Sequence, residues 1–302
     1  MKNLCNVCPR NCNVDRTSKK GFCSSSETVL ISKVMLHFFE EPLISGDENF
    51  DTLKNGSGTI FFANCTLKCC YCQNSEISSG GNGKEVSITS LANIFKQLEN
   101  SGANNINLVT PTHYTNQIIQ ALNIYKPNIP IVWNTSGYET IETISKLKNY
   151  VDVYLTDFKY FNEELSQKYS LAKNYPDSCK LAILEMRKNQ PADIIQNGLI
   201  KKGVIVRHLV LPSHTKDSEK IIDWVYNNLG NKTYFSLMAQ YVPMANAKMF
   251  PEINRKITPL EYKILVNKLK TLGFNNALIQ DLDSANTCYT PDFNSQNNNF
   301  EF

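Results

Sequence analysis

Four cysteines fall in one short run, Cys65-Thr66-Leu67-Lys68-Cys69-Cys70-Tyr71-Cys72. Cys65, Cys69 and Cys72 have the spacing C-x3-C-x2-C, with the aromatic Tyr71 directly before the last of them. Cysteine thiolates are the usual ligands of iron–sulfur clusters. Three thiolates on a four-iron cluster leave one iron open, and an open iron can bind a small molecule through an amino and a carboxylate group. Zinc is the competing reading, because it takes four ligands in a tetrahedron and Cys70 would supply the fourth. Adjacent side chains in an extended segment point apart, however, and zinc sites usually pair two separated knuckles. The spacing favours the three-thiolate cluster and leaves Cys70 as a spare, small apolar residue.

A second set, Cys5, Cys8, Cys12 and Cys23, has the spacing C-x2-C-x3-C-x10-C, with Pro9 and Gly21 as turn-formers. Four thiolates fit a closed zinc site or a coordinatively complete iron–sulfur cluster. The segment is too short for its own core, so a bound metal would supply folding free energy. On chemistry alone, a structural metal and an electron-relay cluster both stay open. Eight of the 10 cysteines lie in the first 72 residues, which marks a metal-rich N-terminal quarter. That start has no apolar h-region of a signal peptide, and no apolar stretch is long enough to span a bilayer. A cytoplasmic location is expected, where thiols serve as metal ligands rather than disulfides.

These residues need a frame. The chain has 302 residues and is 42% hydrophobic, enough for one large domain or two modest ones. Lys+Arg 31 against Asp+Glu 28 gives a net charge of +3, no argument for nucleic acid. After a strand-like piece at 29–36, the pattern from residue 57 repeats strand then helix. Strands are expected at 59–62, 106–109, 129–134, 151–157, 204–211, 234–238 and 277–279. Helices are expected at 88–100, 114–125, 138–148, 162–169, 177–189, 217–228 and 259–272. About six βα units in a row imply a parallel sheet with right-handed crossovers. Periodicity does not separate a barrel from an open doubly wound sheet. The cysteine loop does weigh, because it follows a strand directly, at the edge where barrel active sites are built. The expected fold is α/β, a partial (β/α)6-type parallel barrel with a small N-terminal cysteine-rich metal module. Residues 1–48 are the module and connector, 49–285 the barrel, and 286–302 a polar tail.

If the C-terminal edge is the working face, polar residues ending each strand are the candidates. Val151, Val153, Leu155, Asp157 and Lys159 alternate onto one face of the fourth barrel strand. Asp157 and Lys159 there are costly unless paired or used; Lys159 could hold a ligand carboxylate, and Asp157 an ammonium, a hydroxyl or a cation. The third strand ends in Asn134, Thr135, Ser136 and Gly137. Arg207 and His208 on the fifth strand must face opposite sides. Gln240 and Tyr241 follow the sixth, and His113 follows the second. His37, Glu40 and Glu41 before Pro42 read as hydrogen-bonded interface groups.

Taken together, these motifs resemble the radical S-adenosylmethionine (SAM) enzymes. Within them the chain resembles the activating enzymes of glycyl-radical enzymes, typified by pyruvate formate-lyase activating enzyme, and among those a PflX-like branch with extra N-terminal cysteines. Cys65–Cys72 carries the superfamily motif; Asp157-Phe158-Lys159 resembles an Asp-Leu-Lys motif whose Lys contacts the SAM carboxylate. Val206 to Pro212 resembles the Arg-containing fifth strand, which selects Arg207 as the inward residue. Asn134-Thr135-Ser136-Gly137 resembles an Asp-Thr-Asn-Gly turn. Cys8-Pro9-Arg10-Asn11-Cys12 and His37 to Pro42 match the PflX-like branch. The resemblance implies a [4Fe–4S] cluster on Cys65, Cys69 and Cys72 that cleaves SAM to a 5′-deoxyadenosyl radical for hydrogen abstraction. It places Tyr71 against adenine. Asn134, Thr135 and Gln240 join the cofactor site, and Asp157, Lys159 and Arg207 hold SAM or substrate. The implied partners are a one-electron donor such as flavodoxin or ferredoxin and a glycyl-radical enzyme, with a second metal centre, iron–sulfur or zinc, on Cys5, Cys8, Cys12 and Cys23. Three positions depart from the activases. Thr110-Pro111-Thr112 stands where they carry Gly-Gly-Glu, Asn134 where they carry an Asp that helps hold a monovalent cation, and Gln240 or Tyr241 where they carry a His. The alternative class is a non-catalytic iron–sulfur or zinc protein of electron transfer or metal binding.

Overall fold

The computed structural model describes residues 4–46, 52–286, 291–293 and 300. Its elements, in chain order, are β1 (Val29–His37), α1 (Pro42–Ser45), β2 (Ser57–Phe62), α2 (Ser75–Ser78), β3 (Lys84–Val86), α3 (Ile88–Asn100), β4 (Ile106–Val109), α4 (Thr115–Ile124), β5 (Ile131–Thr135), α5 (Ile141–Lys146) and β6 (Val153–Asp157). They continue as α6 (Glu163–Ser170), α7 (Tyr175–Asn189), β7 (Ile194–Gln196), β8 (Leu199–Leu209), α8 (Thr215–Leu229), β9 (Tyr234–Met238), α9 (Pro259–Leu272) and β10 (Ala277–Ile279). Strands β2, β4, β5, β6, β8 and β9 pair in parallel in that order, and β10 extends them alongside β9. At the other edge β1 runs antiparallel to β2, and β3 antiparallel to β1. Among the described strands, β3 and β10 are not joined, so the sheet is an unclosed barrel.

The expected βα repeat is present, because each helix carries apolar residues at helical spacing against the sheet. In α3 the stripe Leu91, Ile94, Phe95 and Leu98 is buried, and Ser87 caps the start by accepting from the Ser90 N–H. Thr258 and Glu261 form a reciprocal capping box on α9, and Gly273 ends it in a left-handed conformation. Four of the shortest elements (α1, α2, β3, β7) are not expected from the sequence, since three or four residues show no period; β4 and β10 are as short but are mostly apolar.

Two features place the site. First, the segment before residue 48 is more than a connector: β1 is a full strand of the barrel sheet. Second, Ile44 of α1 packs with Val132, Val153, Leu155 and Ile205, inward residues of β5, β6 and β8, and so seals the barrel floor. The interior is left open at the C-terminal ends of the strands. In the tail, Phe293 packs on Phe61 with ring centroids 5.4 Å apart; most of 286–302 lies outside the described residues. Among the described residues no helix is long and apolar enough to cross a membrane.

Candidate active site

The loop that follows β2 turns at Asn64, in the left-handed region at φ 71, a conformation that Asn tolerates. Neighbouring backbone then pins it: Cys70 N–H donates to the Tyr169 carbonyl at 2.8 Å, Lys68 N–H to the Ser170 carbonyl at 3.3 Å, and the Asn246 N–H donates to the Cys70 carbonyl at 2.7 Å. Cys65, Cys69 and Cys72 line a cleft of about 230 Å³ at the open end of the barrel, and Cys70 does not. Each of the three sulfurs has a polar neighbour. Leu67 N–H donates to Cys65 Sγ at 3.4 Å, Ser170 Oγ to Cys69 Sγ at 2.9 Å, and Ser78 Oγ lies 3.2 Å from Cys72 Sγ.

Burial, with Cys69 and Cys72 nearby, pushes the Cys65 thiol up to about 12. Cys69 rises to about 11, again by burial, with Lys159 opposing. No group of three or more His, Cys, Asp or Glu side chains among the described residues is closed on a common point. The fit to a cluster therefore rests on the donor set. Three soft thiols share one cleft, with hydrogen-bond donors aimed at sulfur as cluster thiolates require. Bound iron would also deprotonate the Cys65 and Cys69 thiols, which burial holds up.

Opposite the loop, the inward residues of β5, β6 and β8 form one charged network. Arg207 Nε donates to Asp157 Oδ1 at 2.8 Å, Nη2 to Asn134 Oδ1 at 2.8 Å, and Nη1 to Glu40 Oε2 at 2.9 Å. Glu41 Oε2 lies 3.6 Å from the same Nη1. Asn134 Nδ2 donates to Glu40 Oε1 at 2.9 Å. Lys159 Nζ donates to Asp157 Oδ2 at 2.6 Å. Burial would raise the Asp157 carboxyl, but Arg207 and Lys159 hold it below the usual carboxylate range. Burial would lower the Lys159 ammonium, but Asp157 and Cys69 hold it above its usual value. Arg207 is thus an organiser of carboxylates, with all three of its nitrogens engaged, whereas Lys159 stands between Asp157 and the cysteine loop.

Asn134, Thr135, Asp157, Lys159, Arg207, Tyr71 and Gln240 all line the cleft. Thr135 gives its hydroxyl to Glu139 at 2.7 Å. The Gln240 side chain accepts from Gln280 Nε2 at 3.2 Å. Tyr71 is buried, its hydroxyl 2.6 Å from that of Tyr160. His208 faces the helices, with Phe158 O and Ser218 Oγ on its two ring nitrogens at 2.7 and 2.8 Å. His113 lies outside the cleft, against the Ala63 carbonyl at 2.8 Å. Glu40 and Glu41, which the sequence presents as hydrogen-bonded interface groups, lie inside the barrel and in the site's own network. Two consecutive acids just before a proline, at the end of an apolar strand, were the available signal.

The N-terminal cysteines sit elsewhere. Leu4 and Asp15 form a bridge, and Cys5 N–H donates to Val14 O at 2.9 Å. Cys8 and Cys23 are buried. Burial raises the Cys8 thiol to about 12, and Cys23 and Cys5 are near enough to raise it further. Phe22 N–H donates to Cys12 Sγ at 3.3 Å, and a Cβ on Gly21 would stand 3.3 Å from that sulfur. The module docks through Thr143 Oγ1 to Val7 O at 2.7 Å and Gln117 Nε2 to Glu27 O at 2.8 Å.

The chain is similar to known proteins in sequence and in fold. An uncharacterized protein of Methanocaldococcus jannaschii, MJ0674, is 35% identical over 264 residues, covering 84% of this chain and 70% of its own length. The crystal structure of Streptococcus suis SuiB bound to precursor peptide SuiA matches with a TM-score of 0.50 at 14% identity, over 74% of this chain and 48% of that one. The FeFe-hydrogenase maturase HydG from Carboxydothermus hydrogenoformans matches with a TM-score of 0.48 at 16% identity, over 72% of this chain and 50% of that one. The chain spans about half the length of these solved structures. The model of the radical SAM superfamily matches residues 59–225, from the strand before the cysteine loop to helix α8 and over more than half of the chain; the chain belongs to the radical SAM superfamily, which implies a [4Fe–4S] cluster and SAM.

Proposed function

We propose that Cys65, Cys69 and Cys72 hold the [4Fe–4S] cluster and that SAM lies in the cleft above Asp157, with its carboxylate toward Lys159 and its adenine beside Tyr71. One observation carries this reading: three thiols with sulfur-directed polar neighbours face the same cleft as the Lys159–Asp157 pair, and the fourth cysteine of the run does not. When bound, the cluster supplies the electron that splits SAM into methionine and a 5′-deoxyadenosyl radical, which abstracts hydrogen from a substrate. The chain's residues orient and exclude. Lys159 offers the ligand carboxylate a cation already held in place by Asp157, so little ordering cost remains on binding. The sealed floor around Ile44 keeps water from below. Arg207 fixes Asp157, Asn134 and Glu40 as one unit, which sets the shape of the cleft wall.

The PflX-like resemblance supports a finer reading, in which the abstracted hydrogen comes from a backbone glycine of a glycyl-radical enzyme and a flavodoxin or ferredoxin delivers the electron. Cys5, Cys8, Cys12 and Cys23 then bind a second centre, iron–sulfur or zinc. The test is anaerobic turnover of the reduced, reconstituted protein with SAM. Methionine and 5′-deoxyadenosine should form slowly without substrate and faster with it, because substrate mainly positions a hydrogen. A partner polypeptide that becomes a stable backbone radical by electron paramagnetic resonance (EPR) would establish the activase reading. A reducible cluster that yields no deoxyadenosine would leave an electron-transfer protein instead.

A further inference from the structure

We propose that the N-terminal cysteine module holds the Cys65–Cys72 loop in place through Arg10, and through Ser170 sets the hydrogen bond on the Cys69 sulfur. The proposal rests on the reading of Cys65, Cys69 and Cys72 as cluster ligands. Arg10 lies between Cys8 and Cys12. Its guanidinium sits 3.7 Å from the ring centroid of Phe22, the residue before Cys23, and 5.2 Å from that of Tyr138. Arg10 and Phe22 thus both belong to the four-cysteine segment while Tyr138 comes from the barrel, and a metal closed on Cys5, Cys8, Cys12 and Cys23 would fix Arg10 against Phe22.

From this seat Arg10 reaches into the barrel. Nε donates to the Thr66 carbonyl at 2.9 Å, Nη2 to that of Ser170 at 3.4 Å, and Nη1 to that of Leu171. Thr66 is in the cysteine loop itself, next to Cys65. Ser170 ends α6, and Leu171 turns away from it in the left-handed region at φ 52. One planar fork thus joins the loop to the residue whose hydroxyl donates to Cys69 Sγ at 2.9 Å. A lysine carries the same charge but has no such fork.

Counting protons gives the Ser170 hydroxyl a direction. Tyr160 OH lies 2.7 Å from Ser170 Oγ and 2.6 Å from Tyr71 OH. Each hydroxyl has one proton. With Ser170 donating to a Cys69 thiolate, Tyr160 must donate to Ser170, and Tyr71 to Tyr160. The result is a one-way chain from Tyr71 to the cluster sulfur. Hydrogen bonds to cluster sulfurs help set the reduction potential, so a displaced Ser170 carries a redox signature that a merely structural contact would not.

The test compares wild type, Arg10→Lys, Ser170→Ala and the double variant, each full-length and reconstituted anaerobically. The readouts are iron content and the midpoint potential of the EPR signal that changes when SAM is added. Ser170→Ala should shift the potential to more negative values, and Arg10→Lys should shift it the same way with iron content retained. The double variant should shift no further than Ser170→Ala alone, because both act through one hydroxyl. A wild-type potential in Arg10→Lys, or shifts that add in the double variant, would overturn the proposal. Failure of the underlying reading looks different: the wild-type protein itself would show no SAM-responsive signal that Cys72→Ala removes.

Discussion

Cys65, Cys69 and Cys72 open onto a cleft with a half-buried Lys–Asp pair across from them. Cys5, Cys8, Cys12 and Cys23 belong to a small hairpin-and-turn module whose neighbours are its own backbone, helices α4 and α5, and, through Arg10, the cysteine loop and the end of α6. Both sets are thiols spaced for metal, and both contain a thiol that burial raises to about 12. They differ in what else can reach them. The first set shares its space with charged groups suited to a small ligand; the second presents side chains such as Arg10 to the rest of the protein. Ligand type is a property of the cysteines, but whether a centre does chemistry or holds structure depends on the cleft beside it.

The sharpest way to break this distinction is to remove one thiol from each set. Cys72→Ala should abolish SAM cleavage and the SAM-responsive cluster, and Cys70→Ala should leave both near wild type. Cys23→Ala should lower but not abolish cleavage, since no cleft residue is lost, while exposing the module to proteolysis. Deoxyadenosine yield per iron measures all three. Equal, complete loss in Cys72→Ala and Cys23→Ala would show that the two sets act as one site.

A second break targets the charged wall. Arg207→Ala leaves Glu40, Glu41 and Asp157 together without their shared guanidinium, all of them largely buried. Removing one partner of a buried ion pair typically costs about 3–5 kcal/mol, and denaturant unfolding should show a loss of that order. A loss near the ~1 kcal/mol of surface pairs would mean that water already screens the network.

How much of this the sequence showed follows the range of the interactions. Alternation along β6 and β8 put Asp157 on the face of Val153 and Leu155 and set Arg207 and His208 on opposite faces, because a strand's two faces are set by neighbours in sequence; that Arg207 is the inward one of the two came from the family resemblance. The cysteine loop was readable for the same local reason. Glu40 was not readable, since its partners Asn134 and Arg207 are 94 and 167 residues away. Nor was the plug at Ile44, a four-residue helix whose apolar partners come from three other strands. Arg10 sat in plain view inside a recognised motif, but its contacts are set by where the module docks.

The two regions should also answer pH with opposite signs. Glu139, beneath the module, is 1% exposed, and burial pushes its carboxyl from 4.5 up to about 7, against the hydrogen bonds from Thr112, Thr135 and Trp133. Its folded state holds the proton more tightly than its unfolded state. Its stabilising contribution is therefore full below the unfolded value and is lost as pH rises through the folded value. That shift corresponds to about 3 kcal/mol. Asp157 is the reverse: its folded value is depressed, so its contribution is present at neutral pH and is lost in acid. Glu139→Gln should flatten the decline in unfolding free energy between pH 4.5 and about 7. An unchanged slope would assign the decline to another group.

The smallest expected effect lies in the backbone. In the module, two of the left-handed positions, Asn11 and Asn13, are a type that tolerates this conformation, and the third is Ser24 at φ 67. At the cleft wall the left-handed residue is Thr110, at φ 58, β-branched and held there as its N–H donates to the Asn134 carbonyl at 2.9 Å. Such a residue stores on the order of 1–3 kcal/mol of strain. Thr110→Gly removes the strain but adds unfolded-chain entropy, so a net gain of no more than about 1 kcal/mol is expected. Thr110→Ala is the control, because it loses the same hydroxyl and methyl while keeping a Cβ. The glycine variant should have the higher denaturation midpoint of the two. If alanine is the more stable, the cleft wall stores no strain at Thr110.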